Sequence, residues 1–206
     1  MNVQLILINA LMLIAVLNPF ANVPIFIGMT ESMQREARNK LFKIISITGF
    51  FITWIFSLVG EFLMTNFYKI NMNELKMAGG LILILMSIKT LIFTTKRAKL
   101  AGETLPLEEQ IKQAIIPMAF PMLVGPGTLT TALIGKSDYG LISNSISLMI
   151  AFIAIFLIFM IGNYLERVLG KLVLYILSKV MQIFIMAIGF RILFDGLFKI
   201  IVDFKV

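Results

Sequence analysis

The sequence has no cysteine and no histidine among its 206 residues. Their absence excludes disulfide bonds, thiolate chemistry, zinc or haem sites built on these ligands, and acid–base catalysis by imidazole. Charged residues are also scarce, at 14%, whereas 59% of the residues are hydrophobic. A soluble domain has about a quarter charged and about half apolar residues. The composition therefore predicts an all-α integral membrane protein, and it indicates no cofactor and no metal site.

Six segments are long and apolar enough to cross about 30 Å of hydrocarbon as helices. Their approximate bounds are Val3–Met29, Leu41–Met64, Leu75–Phe93, Gln113–Ile134, Ser143–Leu165 and Leu177–Ile201. Between the first two segments, Thr30-Glu31-Ser32 predicts the N-cap of the second helix. Small residues at Gly79-Gly80 predict a close helix contact early in the third.

Two short stretches interrupt this apolar pattern, and each contains two prolines five positions apart. The first stretch is Asn18–Pro24 and the second is Pro121–Thr128. Proline lacks the N–H that a helix needs, so the first and fourth helices are predicted to break near mid-membrane. The later prolines, Pro24 and Pro126, are predicted to begin the second half-helices. A single proline pair is most often only a kink, but its recurrence favours a transport site.

The two halves of the chain align with a constant offset of 102 residues. The matched pairs are Pro19 with Pro121, Pro24 with Pro126, Gly60 with Gly162, and Lys69 with Lys171. Each match is weak alone, but the ordered set indicates a duplication. Because each half has three spans, the halves enter the membrane from opposite sides, which predicts two inverted three-helix repeats. We expect these repeats at residues 1–95 and 113–206, joined by a cytoplasmic linker at 96–112.

The basic residues lie mostly in alternate loops, and this arrangement accounts for the net charge of +7 without nucleic-acid binding. The loops after the first, third and fifth spans carry Arg35, Arg38, Lys40, Lys43, Lys89, Lys96, Arg97, Lys99, Lys112, Arg167, Lys171 and Lys179. The opposite side carries only Lys69, Lys76, Lys136, Lys199 and Lys205. The positive-inside rule therefore predicts both termini outside the cell. No Lys or Arg precedes Arg35, so the first segment is expected to be a retained helix and not a signal peptide.

The two broken helices predict a site for a small zwitterion. Their second halves present free N–H groups and a partial positive charge near Pro24 and near Gly127-Thr128, which suits a carboxylate. Their first halves end in free carbonyls around Ala15–Asn18 and Pro117–Phe120, which suit an ammonium group. The residues predicted to bind substrate are Asn18, Pro19, Phe20, Asn22, Pro24, Pro121, Gly125, Pro126, Gly127 and Thr128. Among them the asparagines and the threonine can donate and accept hydrogen bonds, and the glycines let the backbone approach a ligand.

Few charged residues lie inside the predicted spans. Arg191 and Asp195 are four positions apart on the sixth helix, which predicts a structural ion pair on one helix face. A role of this pair in gating or ion coupling, with protons as one choice of ion, is the alternative. Glu61 and Lys89 lie near helix ends, where they are expected to reach the lipid headgroups.

Three classes of function fit a helical membrane protein. A membrane-embedded enzyme is disfavoured, because no pair of titratable residues converges at one depth and no nucleophile has a base. A non-transporting scaffold or regulatory subunit would not explain why the first and the fourth helices are both predicted to break. The pattern favours a secondary transporter that works by alternating access, with an exporter of other small solutes or a scaffold as the alternatives.

The stretches Leu17–Phe26 and Phe120–Thr131 resemble the two signatures of MarC-family integral membrane proteins, and Ala78–Leu81 is also similar. The resemblance covers essentially the whole chain. It implies a transporter of small neutral amino acids, glycine or alanine foremost, in the inner membrane of a bacterium. Where other members often carry an acid before the first proline, this chain has Asn18. The partners that it implies are the amino acid and the lipid bilayer.

Overall fold

The computed structural model of the protein describes residues 2–30, 33–92, 115 and 118–203, and these residues are almost entirely helical. The predicted linker at 96–112 lies outside them. The helices are α1 (Val3–Leu17), α2 (Pro19–Met29), α3 (Arg35–Phe62), α4 (Met72–Ile92), α5 (Pro126–Tyr139), α6 (Leu141–Met160) and α7 (Gly162–Asp203). Two π-helical segments, Leu63–Tyr68 and Met118–Leu123, extend α3 and precede α5. A positive φ of 77° at Gly170 divides α7.

Four of the described helices are long and apolar enough to cross a membrane: Arg35–Tyr68, Met72–Ile92, Leu141–Met160 and Leu172–Val202. The pair α1 and α2, bent by 43°, makes a fifth if it forms one span. Helix α5 has only 14 residues and is too short to cross alone. The chain is therefore an all-α membrane protein, whereas the sixth span and the inverted repeat stay predictions.

The first span breaks where its prolines predict. Asn18 adopts the left-handed conformation (φ 46°, ψ 67°) between α1 and α2, which asparagine tolerates better than most residues. The second half-helix begins at Pro19, and Pro24 lies inside it. This corrects the prediction that Pro24 starts the helix. The reason is that Asn18 Oδ1 accepts a hydrogen bond from the Ala21 N–H at 3.2 Å and caps α2 at its earlier proline.

The predicted N-cap of the second span is also wrong. Thr30 instead closes α2, and its hydroxyl donates to the Phe26 carbonyl at 2.8 Å. Helix α3 begins after Gln34. The other two residues of that predicted cap, Glu31 and Ser32, lie outside the described ranges.

The break before α5 follows the prediction more closely. Phe120 is non-helical (φ −145°, ψ 128°) within the π-helical segment. Gly125 is extended, and α5 starts at Pro126, as its sequence predicts. Because Pro126 has no N–H to leave unpaired, it fits the first position of a helix. The carbonyl of Pro117, predicted to be free, belongs to a residue outside the described part.

Close glycine contacts hold the helices together. A Cβ at Gly80 would lie 2.6 Å from the Gly189 carbonyl oxygen, so α4 and α7 cross with their backbones in contact. A Cβ at Gly79 would collide with Thr130 of α5. The sequence prediction of a close contact at this glycine pair is therefore confirmed. Helix α4 lies between the other two, and it links the two halves of the chain.

Side-chain contacts of two lysines identify the two ends of the molecule. At one end Lys76, near the start of α4, pairs with residues near the ends of α5 and α7. At the other end Lys179 Nζ donates to the carbonyls of Thr90 and Leu91, close to Lys89. We call these ends the Lys76 face and the Lys89 face.

Candidate functional site

Two asparagines hold the break between α1 and α2. Asn22 Nδ2 donates to the Leu17 carbonyl at 2.8 Å, and the Asn18 N–H donates to the carbonyls of Ile14 and Ala15 at 3.0 and 3.1 Å. Asn18 Nδ2, by contrast, is buried without a partner among the described residues. Leaving a buried donor unpaired costs about 1–3 kcal/mol. A ligand that accepts a hydrogen bond here would remove that cost.

The start of α5 supplies further donors. Gly125 precedes Pro126 and offers no side chain to cap this helix. The Leu129 N–H donates to the Gly125 carbonyl at 3.1 Å, whereas the N–H groups of Gly127 and Thr128 have no partner in the described part of the chain. Free N–H groups at a helix N-terminus, together with the helix dipole, favour an anion.

Both breaks border one cavity of about 530 Å³. Its wall includes buried residues, such as Asn18 and Thr128, which are 4% and 3% exposed, and also the exposed residues Met86 and Lys89. The residues of α4 that line it, from Leu83 to Thr90, all lie in the half of that helix nearer the Lys89 face. The volume lies within the range of about 300–1,000 Å³ that is usual for small-molecule sites. The cavity is therefore a binding-site candidate that opens towards the Lys89 face.

Most of the predicted substrate residues meet in this cavity. Those that line it are Asn18, Asn22, Gly125, Pro126, Gly127 and Thr128. The other four do not line it. Pro19 is buried at the start of α2, and Pro24 lies inside the same helix. Phe20 packs against the hydrophobic core, and Pro121 lies in the π-helical segment before α5. An anion site at Pro24 does not form, because the start of α2 is at the earlier proline.

Four polar residues of the cavity wall are not predicted from the sequence: Ser87, Lys89 and Thr90 of α4, and Gln182 of α7. Ser87 Oγ is buried and has no partner among the residues that the structure describes. Lys89, expected among the headgroups, is exposed and lines the cavity. Their polarity in otherwise apolar spans is a signal in the sequence, but it does not show that they face the breaks.

The predicted ammonium site made of free carbonyls is only partly available. The carbonyls of Ala15, Leu17 and Asn18 each accept a hydrogen bond already. The side chains of Asn22 and Gln182 offer replacements, because neither side-chain oxygen has a partner in the described ranges. An ammonium group in this cavity would therefore depend on neutral side-chain oxygens.

The charged residues inside the spans meet at the Lys76 face. Lys76 Nζ lies 2.9 Å from Asp138 Oδ1 and 2.8 Å from Asp195 Oδ2, and Lys199 Nζ lies 3.4 Å from Asp195 Oδ2. These four residues, here called the Lys76 cluster, join α4, α5 and α7. The predicted pair of Arg191 with Asp195 is wrong: Asp195 pairs with the two lysines, and Arg191 is exposed without an ion pair among the described residues.

A second ion pair lies at the same face. Lys136 Nζ lies 2.9 Å from Glu61 Oε2 and donates to the Leu58 carbonyl at 3.3 Å. Glu61 therefore binds α5 to α3, where the sequence predicts only a contact with headgroups. Together with the Lys76 cluster, this pair fixes the end of α5 to three neighbouring helices.

Comparison with known proteins places this architecture in a family. Residues 3–201 match the family described as MarC family integral membrane protein. The chain belongs to the MarC family. A UPF0056 membrane protein of Methanocaldococcus jannaschii is 27% identical over 96% of this chain and 98% of its own. Another, from Aquifex aeolicus, is 27% identical over 91% of this chain and 89% of its own.

The UPF0056 membrane protein YhcE of Escherichia coli is 25% identical over 90% of this chain and 88% of its own. The names of these relatives assign no substrate. No solved structure matches the chain. Membership of the MarC family confirms the resemblance of the two proline-containing signatures, and it confirms an integral membrane protein.

Proposed function

We propose that this MarC-family protein is a secondary transporter of small neutral amino acids, glycine and alanine foremost, in a bacterial inner membrane. The observation that carries the proposal is the meeting of both helix breaks in one cavity. The N–H groups of Gly127 and Thr128 suit the substrate carboxylate, and Asn22 Oδ1 suits its ammonium group. Apolar walls, which include Leu83 and Ile185, suit a small hydrocarbon side chain.

Packing between the two halves supports an inverted repeat with six spans. A Cβ at Gly60 of α3 would lie 3.1 Å from Leu133 of α5, and a Cβ at the matching Gly162 would lie 3.3 Å from Val23 of α2. Each glycine thus contacts the second half-helix of the other half. In this proposal α5 and the segment before it form the fourth span, as α2 and α1 form the first.

The contrast between the two faces supports alternating access. The cavity opens towards the Lys89 face, while ion pairs hold the helix ends together at the Lys76 face. Positive residues near the ends of α2 and α6 support a cytoplasmic Lys89 face, with both termini outside. The conformation is then inward-open, and transport requires the Lys76 cluster to separate as the cavity closes on the cytoplasmic side.

The test is counterflow in liposomes that contain the purified protein and an excess of internal glycine. We expect saturable accumulation of labelled glycine, competed by alanine. Thr128→Val removes a cavity hydroxyl at constant shape and should weaken glycine binding about tenfold, a loss of about 1.4 kcal/mol. Thr65→Val is the matched control, because Thr65 is exposed outside the cavity. Folded, monodisperse protein without counterflow would refute the proposal.

A further inference from the structure

Two buried polar groups on the cavity wall lack partners. Asn18 Nδ2 lies at the α1–α2 break and Ser87 Oγ lies on α4; neither has a hydrogen-bond partner among the described residues. Both residues border the cavity, and both are at least nine-tenths buried. Buried polar groups in native proteins are nearly always paired, so an unpaired one calls for an explanation. A ligand with hydrogen-bonding groups supplies one.

The donors around the cavity favour one sign of ligand charge. Asn18 Nδ2 and the N–H groups of Gly127 and Thr128 can only donate. The start of α5 adds the positive end of a helix dipole. Of the described residues that line the cavity, Lys89 alone is charged, and its charge is positive. Each of these features stabilises an anionic group in the ligand.

The hydrogen-bond acceptors on the described side chains of the cavity wall are all neutral. Asn22 Nδ2 is committed to the Leu17 carbonyl, which leaves Asn22 Oδ1 as an acceptor. Gln182 and Ser87 provide two more oxygens. A neutral oxygen accepts a hydrogen bond from a hydroxyl as well as from an ammonium group. With no carboxylate among these lining residues, nothing in the wall pairs specifically with a positive charge.

We propose that the site selects a small carboxylate and does not require an ammonium group, so that 2-hydroxy carboxylates bind alongside amino acids. The carboxylate binds at the start of α5 and to Asn18 Nδ2. The second substituent, whether hydroxyl or ammonium, donates to a neutral oxygen such as Asn22 Oδ1. Amines without a carboxylate are excluded. This inference rests on the substrate site of the proposed transporter, and it widens the class of substrate.

Competition against labelled glycine tests the selectivity. Glycolate keeps the carboxylate and exchanges the ammonium for a hydroxyl; glycinamide and methylamine keep a cationic amine without a carboxylate. We expect glycolate to inhibit within about tenfold of glycine, and the two amines to be at least about a hundredfold weaker, because charge-assisted hydrogen bonds to the carboxylate are lost. Inhibition by glycinamide at the level of glycine, or none by glycolate, would overturn the inference.

Calorimetry with the purified protein separates this inference from the proposed function. Glycolate that binds without glycine counterflow would leave the carboxylate site standing and remove the transporter. Glycine counterflow without glycolate binding would support the transporter and overturn the inference about 2-hydroxy carboxylates. Neither measurement depends on the other, because the first needs no transport and the second needs no glycolate.

Asn18→Asp tests the assigned donor. Aspartate also tolerates the left-handed conformation and keeps an oxygen to cap Ala21, while the free N–H₂ becomes a negative oxygen. We expect glycolate binding to weaken at least about tenfold, and more than glycine binding, because the ammonium of glycine gains a partner. An unchanged ratio of the two affinities would contradict the assignment. Asn66→Asp, at an exposed asparagine, is the matched control.

Ser87→Ala provides an independent variant that leaves the α1–α2 break intact. It removes a hydroxyl whose oxygen has no partner in the described part, so the fold loses no hydrogen bond there. We expect both glycine and glycolate to bind about three- to tenfold more weakly, with little change in Tm in the absence of ligand. Unchanged affinity for both ligands would show that Ser87 does not contact them, and would refute its place in the site.

Discussion

Lys76→Met should weaken the closed arrangement of the Lys76 face. Methionine keeps the length and apolar stem of the side chain but removes the ammonium that binds two carboxylates at 2.9 and 2.8 Å. Removal of one partner from a buried ion pair costs about 3–5 kcal/mol. The carboxylates of Asp138 and Asp195 are 38% and 44% exposed, so water replaces part of what they lose. Asp195 also keeps Lys199 at 3.4 Å.

This exposure lowers the expected cost to about 1–3 kcal/mol. In a chain of this length each kcal/mol shifts Tm by about 2–4 °C. If the cluster holds the outer face closed, the same free energy shifts the population towards the outward-open form by about five- to 150-fold. A change in Tm reports a structural role of the cluster, and a change in the outward-open population reports a gating role.

Cysteine labelling measures the shift, because the chain has no cysteine of its own. Thr131→Cys places a thiol on α5 between the cavity and the Lys76 face, at a position that is fully buried. An impermeant reagent outside intact cells should label it at least about fivefold faster when Lys76 is methionine. Lys199→Met is the control and should leave the labelling rate unchanged, because its pair with Asp195 at 3.4 Å lies within α7 and joins no other helix. A lower Tm with unchanged labelling would refute the gating role.

Two further predictions test the topology and the packing. Lys40→Cys and Asn66→Cys, at exposed positions near opposite ends of α3, should react with impermeant reagents from opposite sides of the membrane; labelling of both from outside would contradict the proposed orientation. Asn144→Ala should lower Tm by several degrees without changing glycine affinity, because Asn144 donates to the Ala132 carbonyl at 3.0 Å and accepts from Asn9 at 3.0 Å. A Tm of Asn144→Ala equal to that of the wild type would exclude a structural role for these two hydrogen bonds.

The helix breaks could be predicted because their cause is local. A proline removes an N–H wherever it stands, and the sequence places one at each break. The choice of the starting proline could not be predicted with the same rule. It depends on Asn18, which turns left-handed and caps α2, so that Pro24 is tolerated within the helix.

The ion pairs and the remaining site residues depend on contacts between distant parts of the chain. Lys76 meets Asp138 and Asp195 only because α4 packs between α5 and α7. The local rule for residues four apart predicts a pair of Arg191 with Asp195 instead. It fails because tertiary packing, and not spacing along one helix, decides which charges meet. Ser87 reaches the cavity for the same reason, since nothing in its own helix indicates which face meets the breaks.

Gly127 shows how the structure changes the reason for a prediction. From the sequence, Gly127 is predicted to let the backbone approach the substrate closely. In the structure a Cβ there would lie 2.4 Å from Leu83 Cδ2, so the glycine first serves the contact between α5 and α4. We expect Gly127→Ala to cost about 1–3 kcal/mol by overpacking. Because Leu83→Ala makes room for the added methyl group, the double variant should be more stable than the sum of both single losses predicts. An unchanged Tm of Gly127→Ala, together with weaker glycine binding, would show instead that this glycine keeps the cavity open for the substrate and is not needed for the contact between α5 and α4.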